Sequence, residues 1–198
     1  MEIVWLGHSC FRLRRGDVSA ITDPFPDTLG ISMGRPSAQI VTISHQHVNH
    51  SYWAGVDGNP MVIKGPGEYE LQGVYIKGVL TPPAPDEPLD KRNTAYLIEM
   101  DGVTCLHPGD IGSPLSTALV EELSTADVLF VPAGGVCTLK VTQLSQLIQA
   151  VEPKLIIPMH YHLPGLQCDL EPLDRFLREM GIRDPQVQQR ITVTPTNL

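Results

Sequence analysis

The 198-residue chain sets 14 lysines and arginines against 22 aspartates and glutamates, a net charge of -8. That balance excludes a general nucleic-acid binder, whose phosphate contacts need clustered basic side chains. Hydrophobic residues make up 42% of the chain, enough to bury a substantial core, and with no composition shift along it a single domain over residues 1–198 is expected.

In chain order, strands come first. Glu2 to Leu6, Cys10 to Arg14 and Val18 to Thr22 read as an opening meander, with Arg15-Gly16-Asp17 at one turn, and Gln39 to Ser44 forms the next strand. Met61 to Lys64, Glu68 to Leu71 and Val74 to Val79 continue with glycine-containing turns. Thr94 to Met100 and Val103 to His107 form a hairpin across Asp101-Gly102, a favoured hairpin dipeptide. Between them, Thr81 to Lys91 is rich in proline and acids and reads as a loop overhanging the site.

The second half alternates. A helix over Pro114 to Leu123 capped by Ser113, strand Val128 to Val131, helix Thr142 to Val151, strand Leu155 to Pro158, and helix Leu170 to Met180 closed by Gly181 are expected. No apolar run is long enough for a membrane span, and Met1 to His8 reads as a strand without the basic flank or cleavage pattern of a secretion signal. A cytoplasmic protein with no membrane partner is expected. The four cysteines, Cys10, Cys105, Cys137 and Cys168, contain no C-x-x-C pair and read as free thiols, best taken as small buried apolar residues. Arg12, Arg14 and Arg15 make the one dense basic run, read as a solvated hairpin end.

The chemistry concentrates in a few side chains. Three of the seven histidines, His45, His47 and His50, fall in the run S-H-Q-H-V-N-H-S directly after the apolar Val41 to Ser44. If that segment ends a strand, His45 and His47 share one side of an extended chain. If a helix begins beyond it, His50 faces back toward the same point. Asp110 in H-P-G-D and His160 in P-M-H-Y-H also follow apolar runs. Imidazole nitrogen with carboxylate oxygen suits a zinc, manganese or iron centre, against the alternative of a solvated polar loop.

H-Q-H-V-N-H resembles the H-x-H-x-D-H signature of the metallo-β-lactamase superfamily, and H-P-G-D followed by P-M-H-Y is similar to its remaining ligand segments in the same order. W-L-G-H-S-C-F, I-T-D-P-F and V-P-A-G-G resemble the branch of metal-dependent hydrolases that includes the ascorbate-6-phosphate lactonases. The resemblance implies an α/β four-layer αββα sandwich with one or two divalent ions, zinc first and manganese or iron as alternatives. It implies a metal-bound hydroxide acting on a small-molecule substrate, an ester, lactone, amide or phosphodiester. Carried over residue by residue, the first ion takes His45 and His47 with Asp110 as bridge, and the second takes His50, Asp110 and His160.

The sequence departs from the family pattern twice. Asn49 stands where the signature has aspartate, so a ligand position is neutral; its amide can coordinate or hydrogen-bond but cannot accept a proton. No histidine occurs from Ser51 to Leu106, where the family supplies a third histidine to the first metal. Substitute ligands by composition are His107, Asp86, Glu87 and Asp90. His8, at the end of the first strand, reads either as a hydrogen-bond donor lining the site or as a histidine satisfied by backbone. His107 reads as a supporting residue and His162 as a rim residue. Asp23 either orients a metal-bound histidine or forms a turn before Pro24. With catalytic roles expected of Asp110, Asn49 and His8, the leading reading is a metal-dependent hydrolase. The alternatives are an inactive metal- or ligand-binding member of the fold, and an iron redox enzyme served by a flavin-bearing partner.

Overall fold

The computed structural model describes residues 1–82 and 92–198. Asp86, Glu87 and Asp90, and most of the loop expected to overhang the site, lie outside the described residues. Two six-stranded sheets face each other. The first holds β1 (Glu2–Gly7), β2 (Cys10–Arg15), β3 (Val18–Thr22), β4 (Ile40–Ile43), β5 (Met61–Lys64) and β12 (Arg190–Thr192), in the order β12-β1-β2-β3-β4-β5. The second runs β11-β10-β9-β8-β7-β6, with β6 (Gly67–Leu71), β7 (Val74–Thr81), β8 (Asn93–Met100), β9 (Val103–His107), β10 (Val128–Pro132) and β11 (Leu155–Met159).

Why two sheets form follows from alternation along the strands. In β10, Val128 and Phe130 face the core between the sheets, while Leu129 and Val131 face outward into a second apolar layer. In β8, Tyr96 and Ile98 face in while Ala95 and Leu97 face out. Strands buried on both faces read as continuous apolar runs, and these do. Helices α1 (Thr117–Leu123), α2 (Val141–Val151) and α3 (Leu173–Glu179) cover the outer face of the second sheet, α2 through Val141, Leu144, Leu147, Ile148 and Val151. The outer face of the first sheet is covered differently. Phe25, Leu29, Met33, Leu166 and Leu170 pack on Ile21, Val41 and Ile43, so irregular chain and a 3-10 turn at Asp27–Leu29 make that layer. The arrangement is that of the metallo-β-lactamase α/β sandwich.

Element edges differ from the sequence reading for local reasons. The first helix starts at Thr117, because Ser116 rather than Ser113 is its cap, accepting from the Leu119 amide. The third starts at Leu173, after Pro172. The three-residue β12 lacked an apolar pattern and pairs with β1. The Asp101-Gly102 turn has positive φ at both residues, 56° and 71°, the geometry a two-residue hairpin favours.

The sheets are stitched together at the end that carries the site. The buried Tyr96 hydroxyl donates to the Ile43 carbonyl at 3.0 Å and accepts from the Gly65 amide at 2.8 Å. The Thr94 amide donates to the Ser44 carbonyl at 2.8 Å, and the His160 amide to the His8 carbonyl at 3.0 Å. Among the described residues, no helix is long and apolar enough to cross a membrane.

Candidate metal centre

Each polar residue of the site follows the end of a strand: His8 after β1, Asp23 after β3, His45 after β4, Asp110 after β9 and His160 after β11. The structure brings His45, His47, His50, Asp110, His160, Asn49 and His8 to one open cleft of about 690 Å³. Asp110 is its hub. The Asp110 Oδ2 atom lies 3.4 Å from His50 Nε2, 3.5 Å from His160 Nε2 and 3.9 Å from His45 Nε2.

The histidine run is not shaped as the sequence suggested. β4 ends at Ile43, and the chain then bends rather than staying extended, with the His47 amide donating to the His45 carbonyl. His50 arrives by a single turn, its amide donating to the His47 carbonyl at 2.9 Å, not by a helix. The rings nevertheless converge: His45 and His50 centroids are 4.4 Å apart, His47 and His50 5.6 Å, and His45 and His47 5.8 Å. His47 is exposed and His50 buried.

Backbone geometry is spent on this cluster. His8, Asp23 and His160 all adopt positive φ, 50°, 37° and 50°, a region that side-chain-bearing residues seldom occupy and that tends to mark functional sites. The Asp110 loop needs Gly109: its φ is 60°, and a Cβ there would lie 2.3 Å from Asn93 Oδ1 and 2.4 Å from Ser44 Cβ. That same Asn93 Oδ1 accepts from the Asp110 amide, while Asn93 Nδ2 donates to the Pro108 carbonyl and to Thr81 Oγ1. Asn93 therefore splints the H-P-G-D turn from the start of β8, a role no sequence pattern signalled.

Asp23 resolves in favour of orienting a histidine. Its Oδ2 sits 3.0 Å from His50 Nδ1, and its carboxylate also accepts from the Ser44 amide and hydroxyl. This fixes the His50 tautomer so that Nε2 faces Asp110. His107 turns away, its Nε2 2.8 Å from the Ser9 carbonyl and its ring against Phe11, so it fills no ligand gap. His162 is exposed and does not line the cleft. His8 does, with its ring 4.7 Å from His50 and 4.5 Å from His160. Cys10 and Cys105 are buried as expected, but Cys137 and Cys168 line the cleft, contrary to the reading of all four as buried apolar residues.

The electrostatics prepare neutral imidazoles around ionised carboxylates. Burial alone would raise the Asp110 carboxyl, yet the surrounding His160, His50, His45 and His8 hold it well below the usual carboxylate range. Burial pushes His160 down to about 4, Asp110 only partly offsetting it, and burial with the His160 and His50 charges pushes His8 down to about 2. His45 is lowered by burial and His50. His50 is the exception: Asp110 and Asp23 overcome its burial and raise it. Desolvation by the cleft wall, then Asp110, push the Cys137 thiol up to about 12.

These residues fit a divalent ion. Ligand atoms around one tetrahedral ion lie roughly 3.3–3.8 Å apart, given bond lengths of 2.0–2.3 Å. The His50–Asp110 and His160–Asp110 separations fall in that range. Donor atoms of His8, His50 and His160 lie within 4.8 Å of one another, as do those of His45, His47 and His50. Asp110 Oδ1, His8 Nδ1 and His160 Nδ1 are buried with no hydrogen-bond partner among the described residues, a condition that native proteins seldom leave unanswered.

A family model described as the beta-lactamase superfamily domain matches residues 2–160. Among solved structures, a proposed Zn-dependent hydrolase of the metallo-β-lactamase superfamily from Thermotoga maritima is similar, at 36% identity and a TM-score of 0.79 over 97% of this chain and 91% of that one. A metallo hydrolase from Ignicoccus hospitalis shares the fold, with a TM-score of 0.70 at 20% identity over 98% and 99% of the two chains. In sequence, a UPF0173 metal-dependent hydrolase of Natranaerobius thermophilus is 26% identical over 207 residues, covering 90% of this chain and 92% of that protein. The fold, the ordered motifs and the family match agree, and the chain belongs to the metallo-β-lactamase superfamily.

Proposed function

We propose that this protein is a metal-dependent hydrolase acting on a small-molecule ester, lactone or phosphodiester, located in the cytoplasm. One observation carries the reading: three imidazole Nε2 atoms face one carboxylate oxygen of the partly buried Asp110 at 3.4–3.9 Å in an open cleft. Its relatives among the metal-dependent hydrolases of the superfamily support it, and four unpaired cysteines suit a reducing compartment. A divalent ion in such a centre supplies Lewis acidity, bringing the pKa of a bound water to about 7.

The chain's own groups do the rest. Asp110, whose carboxyl the surrounding histidines hold well below the usual carboxylate range, would be a shared ligand, and His50, His160, His45 and His47 would supply imidazole nitrogens. Asp23 keeps a proton on His50 Nδ1 and so leaves Nε2 free to coordinate. Neutral His8 offers one N–H to a bound oxygen anion at the cleft floor. Asn49 lines the cleft but holds no carboxylate, so water is oriented there by an amide and not deprotonated by a side chain. The resemblance to ascorbate-6-phosphate lactonases favours a lactone among the three ester classes. Lys64 and Arg92 among the residues that line the cleft favour a substrate with an anionic group.

Activity against a panel of activated esters, lactones and phosphodiesters tests the proposal. Turnover should be removed by chelator, restored by zinc or manganese, and lost in Asp110→Ala. Turnover that ignores chelator would rule it out. Asn49, together with the absence of a histidine from Ser51 to Leu106, favours a second reading as a binding member of the fold, which metal binding without turnover would select.

A further inference from the structure

The metal reading leaves a ligand shortfall, and one candidate donor beside Asp110 is a sulfur. Cys137 Sγ lies 3.8 Å from Asp110 Oδ2, and donor atoms of Asp110, Cys137 and His160 all fall within 4.8 Å of one another. His160 is 2% exposed, and its Nε2 is aimed at the same Asp110 oxygen at 3.5 Å. We propose that Cys137 is a metal ligand, sharing an ion with Asp110 and His160.

Three observations support the assignment. First, the spacing is right: sulfur and oxygen bound to one tetrahedral ion lie roughly 3.5–3.8 Å apart, given bonds of about 2.3 and 2.0 Å. Second, the two loops are fixed to one another. Cys137 sits between β10 and α2, two residues before Leu139, whose amide donates to the Ile111 carbonyl at 2.8 Å, next to Asp110. Thr138 Oγ1 bonds back to the Pro132 carbonyl, closing the turn. Third, other donors do not take this place: among the described residues His8 groups with His50 and His160 but not with Asp110. Cys168 lines the same cleft but joins no ligand-distance group among the described residues, and His107 is engaged by Ser9.

Coordination deprotonates the thiol: the sulfur–metal bond forms, the proton goes to buffer, and no electron moves. The site then holds two anionic ligands, thiolate and carboxylate, with the His160 imidazole. A thiolate prefers zinc or cobalt to manganese or magnesium, so the inference also narrows the metal. It rests on the metal-centre reading, and cobalt spectroscopy separates the two.

Apo protein should be titrated with cobalt(II) under reducing, anaerobic conditions, as wild type, Cys137→Ser and Cys168→Ser. Wild type and Cys168→Ser should show visible d–d bands plus a near-ultraviolet thiolate-to-cobalt charge-transfer band. Cys137→Ser should keep the visible bands, lose the charge-transfer band and bind ~10-fold or more weakly. Its apo melting temperature should match wild type, because Cys137 opens onto the cleft. Visible bands without charge transfer in wild type, or a charge-transfer band that survives Cys137→Ser, would overturn the thiolate ligand and leave the metal centre standing. No cobalt bound by wild type would overturn both.

Discussion

Asp23 Oδ2 lies 3.0 Å from His50 Nδ1, on the side of the ring opposite the 3.4 Å approach of His50 Nε2 to Asp110. The buried Asp23 carboxylate thus orients the imidazole that faces the partly buried Asp110. Residues in this position typically contribute 10–100-fold to metal affinity. Asp23→Asn should therefore weaken zinc binding ~10-fold or more, because the neutral amide supports His50 less and holds Ser44 less firmly. Competition against a chromophoric chelator measures it, and unchanged affinity would show that His50 needs no such support.

Asn49→Asp should raise divalent-metal affinity, since it places a charge beside the ion at the position where the family signature has one. Asn49 lines the cleft, and its backbone amide donates to His47 Nδ1 at 3.3 Å. Calorimetric titration of apo wild type and variant with zinc in one buffer is the check. Equal affinities would mean that the side chain at this position points away from the ion.

The apo protein should lose stability as pH falls from 7 toward 4. His8 and His160, lowered to about 2 and about 4, resist protonation when folded, and His45 and His107, also lowered, take up protons less readily folded than unfolded, whereas in the unfolded chain all four protonate below 6.5. The unfolded state then binds more protons, so stability is present above 6.5 and drains away as pH drops toward the folded values. His50, raised, acts the other way: its contribution is present below 6.5 and lost as pH climbs through its folded value. Four lowered groups against one raised set the net sign. Thermal melts of stripped protein should show a falling melting temperature between pH 7 and 5, and a flat profile would contradict the buried, neutral histidines.

Gly109→Ala should destabilise the protein and loosen the centre together, because its Cβ would strike Asn93 Oδ1 and Ser44. Strain of this kind costs on the order of 1–3 kcal/mol. A lower melting temperature with weakened zinc binding is expected. A variant that melts like wild type would show that the Asp110 turn relaxes freely.

Much of this architecture was legible because strands buried on both faces leave unbroken apolar runs, and because His45, His47 and His50 crowd into six residues. Asp110 and His160 were legible through motif order. What the sequence hid depends on pairing between distant segments. Asp23 meets His50, Asn93 meets Asp110, and Cys137 meets Asp110 only because two sheets close with their loops at one end. The bend after Ile43 was hidden for another reason: periodicity says where a strand is favoured, not where its last hydrogen bond falls. β12 has three residues, two of them polar, and gives no pattern to find.

Metal retention should depend on Asp110, the carboxylate that three histidines face. Elemental analysis of wild type and Asp110→Ala, purified without added metal and compared with His162→Ala as a control outside the cleft, tests it most directly. Wild type and His162→Ala should hold zinc, manganese or iron at less than two equivalents per chain, and Asp110→Ala should lose nearly all of it. Equal metal content in wild type and Asp110→Ala would contradict it.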